Sequence, residues 1–212
     1  MKRNAIFCLF AGGLSVFSGQ SMAESGVYFG TGFSYRSMSA HSFKDEKRYV
    51  QRKRAAHDMV LGFRTDTGNA FYGPEINIER FLRGNFTDRL YQKDCAAVQD
   101  TSFYCSRRST YRLRGIYGRK LDRGLETYVA LGIGVMKGYG ARHQGKVSLG
   151  INAGISMGLG MQVALGNRGM LRGEVTHDIF NMVVKHPYGP GETRYSPSYE
   201  ATTIKISYIY AF

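Results

Sequence analysis

Cys95, Cys105, His177 and a run of lysines and arginines between residues 44 and 54 are the side chains of this 212-residue sequence whose types and spacing bear on chemistry. The two cysteines lie in a polar, turn-rich stretch. Their spacing is wrong for a CxxC redox pair or a zinc site, and no histidine or third cysteine stands near them. The expected product is a disulfide across a short loop, which on the chain-entropy view stabilises the fold by roughly 2–3 kcal/mol. His177 invites comparison with a His-x-Ser pair of a serine hydrolase, but two residues on stands Ile179, so the nucleophile is missing. Ser196, Ser198, Glu192 and Glu200 follow in a segment where such residue types are ordinary. His41, His57, His143 and His186 do not fall at metal-ligand spacing, and Gly30-Thr31-Gly32 and Gly132-Ile133-Gly134 precede no helix that would make them phosphate loops. No catalytic group, metal or cofactor is expected.

The basic run is Lys44, Lys47, Arg48, Arg52, Lys53 and Arg54, opposed locally by Asp45 and Glu46. Arg83, Arg89, Lys93, Arg107 and Arg108 flank the cysteines, and Lys137, Arg142, His143 and Lys146 form a third group. The formal net charge is +13. In a cytosolic chain that balance points to nucleic acid, but the N-terminus points elsewhere. Lys2 and Arg3 precede an apolar run from Ala5 to Phe17, and Ser21-Met22-Ala23 forms a small-x-small cleavage site. Residues 1–23 are therefore expected to be a cleaved signal peptide and 24–212 the mature domain. The apolar run is shorter than the roughly 20 residues a spanning helix needs. Export also places Cys95 and Cys105 where disulfides persist.

The elements that must carry these residues show a period of two. The last segment sets Thr202, Ile204, Ile206, Tyr208, Tyr210 and Phe212 against Thr203, Lys205, Ser207, Ile209 and Ala211. Seven upstream segments behave alike: about 27–38, 56–65, 70–82, 109–120, 125–136, 146–165 and 170–180. Short turns are expected near Asp66, Asp122 and Asn167, and longer polar connections at 39–55, 83–108, 137–145 and 181–198. Val147 to Asn167 carries no charge, and its glycines at 150, 154 and 158 also match a small-xxx-small membrane helix. Its strict alternation favours a strand. An even strand count with short and long connections in alternation fits a membrane barrel with both termini at one rim.

Alternation alone leaves open a soluble barrel with its apolar face inward. The polar faces, however, hold glycine, serine and opposite charges that can pair, such as Glu75 and Glu79 with Arg112 and Arg114. The apolar faces carry tyrosine and phenylalanine near strand ends, as aromatic girdles do. The expected fold is all-β, an eight-stranded antiparallel up-and-down transmembrane β-barrel.

Through its architecture and its terminal alternating strand, the chain resembles the OmpA-like and opacity-protein-like family of small outer-membrane barrels across almost all the mature sequence. The resemblance implies residence in the outer membrane of a Gram-negative bacterium, with Tyr208, Tyr210 and Phe212 read by the barrel-assembly machinery. It implies a role in envelope structure or surface adhesion, without enzymatic turnover. The basic loops, above all residues 44–54, would then meet lipopolysaccharide or polyanions on a host or neighbouring cell. Two alternatives stand: a lipid A-modifying enzyme, as some barrels of this size are, and a narrow conduit for small or hydrophobic solutes.

Overall fold

The computed structural model describes residues 25–41, 52–81, 104–121, 124–142, 145–185 and 198–212. The expected signal peptide, Cys95, Lys44, Lys47 and Arg48 lie outside these residues. Eight strands are formed: β1 (Gly26–His41), β2 (Arg52–Thr67), β3 (Ala70–Phe81), β4 (Tyr104–Lys120), β5 (Leu125–Arg142), β6 (Gly145–Leu165), β7 (Gly169–Lys185) and β8 (Ser198–Ala211). Each pairs antiparallel with the next, and β8 returns to β1 to close the barrel. Closure leaves no edge whose N–H and C=O groups would be stranded in hydrocarbon.

The tight turns expected near Asp66 and Asn167 are present, and the one near Asp122 is described at Leu121 and Gly124, with residues 122–123 outside the described residues. Gly68, Gly124 and Gly166 adopt φ of 66°, 73° and 74°, the left-handed region where a side chain is strained. They join β2 to β3, β4 to β5 and β6 to β7, so these turns share one rim with the start of β1 at Gly26 and with Phe212. The Val147 to Asn167 segment lies almost entirely within β6, and no helix among the described residues is long and apolar enough to cross a membrane.

At the opposite rim the strands outrun the sequence expectation. β5 continues to Arg142 and β6 starts at Gly145, so the connection expected at 137–145 shrinks to residues 143–144. Arg52, Lys53 and Arg54, expected in the first long loop, belong to β2 and pair in register with Met38, Ser37 and Arg36. β7 likewise extends to Lys185. Beyond the lipid both faces of a strand meet water, so the side chains stop alternating while the backbone ladder continues.

The faces sort as a membrane barrel requires. Phe33 (66% exposed), Leu131 (61%), Ile133 (61%) and Leu159 (66%) point outward, while Arg36, Arg112, Arg114, Glu75, Glu79 and Asp178 are buried inside. Glycines make room for the inward rings. Tyr28 stands opposite Gly62, Phe71 opposite Gly118, and Tyr128 opposite Gly160. In each pair a Cβ on the glycine would come within about 2.3 Å of the facing ring. Around these rings Val60, Ile116, Ala130, Met170 and Ile209 complete an apolar layer toward the turn-bearing rim.

Candidate functional site

The interior holds six buried cations, Arg36, Arg64, Arg112, Arg114, Arg172 and Lys205, and six buried anions, Asp58, Glu75, Glu79, Glu126, Glu174 and Asp178. They connect along the axis. At the turn-bearing end Arg64 forks onto Glu126 with contacts of 2.6 and 2.8 Å and also binds Asp66, which Lys120 meets at 2.9 Å. Gln162 donates to Glu126 at 2.6 Å and accepts from Arg172 Nε at 2.9 Å. Arg172 and Arg114 both bind Glu75, and Arg114 grips Glu174 at 2.6 and 3.0 Å. The Tyr28 hydroxyl donates to Glu75 at 2.8 Å, and that of Tyr128 to Glu174 at 2.6 Å.

Lys205 links this layer to the next, lying 3.3 Å from Glu174 and donating to Asn77 at 2.8 Å. Arg112 then donates to Asn77, Glu79 and Asp178, each at 2.7 Å, and Arg36 reaches Asp178 at 2.9 Å. Above them Phe180, Met136, Ala56 and Ala201 are buried, with the Arg36 guanidinium 5.8 Å from the Phe180 ring. Expensive buried charges persist here because each has partners of opposite sign with good geometry. The described lumen is packed by side chains, as the width of an eight-stranded barrel dictates.

The expected pairing of Glu75 and Glu79 with Arg112 and Arg114 is therefore present, as Arg114 with Glu75 and Arg112 with Glu79. The sequence reading did not anticipate Tyr28, Tyr128, Gln162 or Lys205 as links. Their inward parity was the available signal, but partners up to 128 residues apart in the sequence are set by strand order and shear, not by local pattern.

On the outside, His177 Nδ1 lies 3.0 Å from Thr202 Oγ1 on β8, and His57 Nε2 lies 2.9 Å from Thr31 Oγ1 on β1. Among the described residues no carboxylate completes a charge-relay arrangement at His177, and no three His, Cys, Asp or Glu groups converge to hold a metal. Cys105 is in β4, its backbone paired with Gly140. At the closing seam, Tyr210 and Phe212 meet edge to face at 5.3 Å, and the Phe212 N–H donates to the Val27 carbonyl at 3.0 Å.

No protein-family model and no curated protein matches the sequence. Solved structures do match the fold. The attachment invasion locus protein Ail of Yersinia pestis, in complex with the heparin analogue sucrose octasulfate, aligns with a TM-score of 0.56 at 10% identity, covering 89% of this chain and 99% of that one. Neisserial surface protein A aligns with a TM-score of 0.56 at 9% identity, covering 87% and 97%. The fold is that of a small outer-membrane barrel. Among the described residues the charges inside the barrel are engaged with one another. What remains is the basic excess of the sequence, including Arg52, Lys53 and Arg54 on the extension of β2.

Proposed function

We propose that the chain is a non-enzymatic barrel of the Gram-negative outer membrane, contributing to envelope structure and binding polyanions through its basic outer rim. The observation that carries this reading is the balanced interior, six cations against six anions among the described residues, while the sequence carries a net charge of +13, of which Lys2 and Arg3 of the expected signal peptide contribute only two. The excess must lie elsewhere, and the runs containing Lys44, Lys47, Arg48, Arg52, Lys53 and Arg54 supply much of it. Clustered cations attract sulfated or phosphorylated sugars, and guanidinium groups bind them in forked pairs. The complex of Ail with sucrose octasulfate, on a barrel of the same fold, supports the same class of ligand here.

The test is retention of the detergent-solubilised barrel on immobilised heparin. The wild type is expected to bind and to elute with salt, and glutamine at Lys44, Lys47, Arg48, Arg52, Lys53 and Arg54 is expected to abolish retention. Unchanged retention overturns the rim as the binding surface. A lipid A acyl pattern that changes with the gene would instead favour the enzyme reading.

A further inference from the structure

The outward wall of β2 to β5 is organised in transverse rows. His57 pairs in register with Arg80, Arg80 with Ser109, and Ser109 with Lys137. One outward step toward the turns, Met59, Ile78, Tyr111 and Val135 form the next row. A further step gives Leu61, Ile76, Leu113 and Ile133. A row that carries the cations Arg80 and Lys137 thus stands above two rows with no charge.

Position along the barrel gives this pattern its meaning. On β4 the exposed face runs from Arg119 to Tyr111, and the buried Ser109 that pairs with Arg80 and Lys137 lies about ten residues above Arg119, which at about 3.3 Å each and a tilt near 40° is a rise of about 25 Å, the height of an outer-membrane barrel's apolar band. Arg80 and Lys137 therefore lie at the headgroup level, where a lipid-facing cation costs about 0–1 kcal/mol rather than the penalty at mid-depth. Both side chains are exposed, and among the described residues no carboxylate pairs with either. One strand, β4, stands between them, so their backbones are two interstrand spacings, about 10 Å, apart, a gap two long side chains can close around one phosphate. The Tyr111 hydroxyl belongs to the strand between.

We propose that the β2–β5 wall is a binding site for a phosphorylated, multi-acyl lipid of the outer leaflet, with Arg80 and Lys137 holding a headgroup phosphate and the Met59 to Val135 and Leu61 to Ile133 rows receiving acyl chains. The site rests on the reading that the barrel sits in the outer membrane, but it is separate from the loop cations assigned to soluble polyanions. Its position on the lipid-facing wall favours a lipid over a free anion.

The chain contains no tryptophan, so Tyr111→Trp provides a single fluorescent reporter beside the cations. The barrel carrying it would be reconstituted in phosphatidylcholine vesicles with increasing fractions of bisphosphorylated lipid A. A saturable emission change is expected, and Arg80→Gln with Lys137→Gln should weaken it at least about tenfold, the scale set by two interfacial cations. Dephosphorylated lipid A should give no such response, and inorganic phosphate should not compete. An unchanged titration in the double variant, an equal response to dephosphorylated lipid, or full competition by inorganic phosphate would each overturn the proposal. Heat-modifiable gel migration verifies that each variant is folded. The glutamine variants at Lys44, Lys47 and Arg48 should retain the lipid response even if they lose heparin, so failure at the wall and failure at the rim are read separately.

Discussion

The phenol ring of Tyr128 lies against Gly160 on the adjacent strand, so close that a Cβ there would stand 2.2 Å from the ring. The same ring donates its hydroxyl to Glu174, so it cannot swing aside without releasing a buried carboxylate from one of its partners. Gly160→Ala is therefore expected to destabilise the barrel by about 1–3 kcal/mol, the usual cost of overpacking. Urea titration of the refolded protein should show a lower midpoint. Alanine at Gly173, where nothing lies within 4 Å of a Cβ, should leave the midpoint nearly unchanged.

Arg114 bridges Glu75 and Glu174 at the middle of the lumen. Arg114→Met keeps much of the volume but leaves the two carboxylates with fewer cations, Arg172 at Glu75 and Lys205 at Glu174. Breaking a buried pair from one side costs about 3–5 kcal/mol. The variant should unfold at a lower urea concentration. Adding Glu174→Gln, which removes one charge of opposite sign, should restore part of the loss, giving a coupling in a double-mutant cycle. Strict additivity would show that the contact carries no energetic weight.

These relationships mark how far the sequence could be read. The inward and outward faces of all eight strands were legible across the lipid, because lipid outside and a polar lumen inside impose alternation on every spanning residue. The strand ends above the lipid were not, as Arg52 to Arg54 and the continuation of β5 to Arg142 demonstrate. There, nothing forces a side chain to declare its face. The lumen was legible as a set of charges and not as a network. Arg36 with Asp178, 142 positions apart, meet through the closure of β1 onto β8 beside β7. The wall row of His57, Arg80 and Lys137 was hidden for the same reason, since its members come from three strands.

A packed lumen has an electrical consequence. Between the Tyr28, Phe71 and Met170 layer and the Phe180 and Met136 layer, the central guanidinium and carboxylate groups are engaged with one another. A hydrated ion crossing would have to displace Arg112 or Arg114 from buried carboxylates. The wild-type barrel in a planar bilayer is expected to show no steady conductance. Arg112→Ala with Glu79→Ala, which removes a facing pair, is the variant in which brief openings should appear. Steady wild-type conductance would restore the conduit reading.

Phe212 separates assembly from stability. Its side chain is 74% exposed, and its described ring contact is the edge-to-face one with Tyr210. The seam itself is held by the backbone, through the Phe212 N–H on Val27 and the register of β1 with β8. Phe212→Ala keeps that hydrogen bond and should cost little in a refolded barrel, within about 1 kcal/mol for one exposed aromatic pair. If the barrel-assembly machinery reads Tyr208, Tyr210 and Phe212, the same substitution should sharply lower the amount of heat-modifiable barrel recovered from the outer membrane. Urea midpoints in detergent and membrane yields in cells, measured on the same variant, distinguish the two roles. An unchanged yield would remove the terminal aromatic from the assembly signal, and a parallel fall in midpoint and yield would assign it to the fold instead.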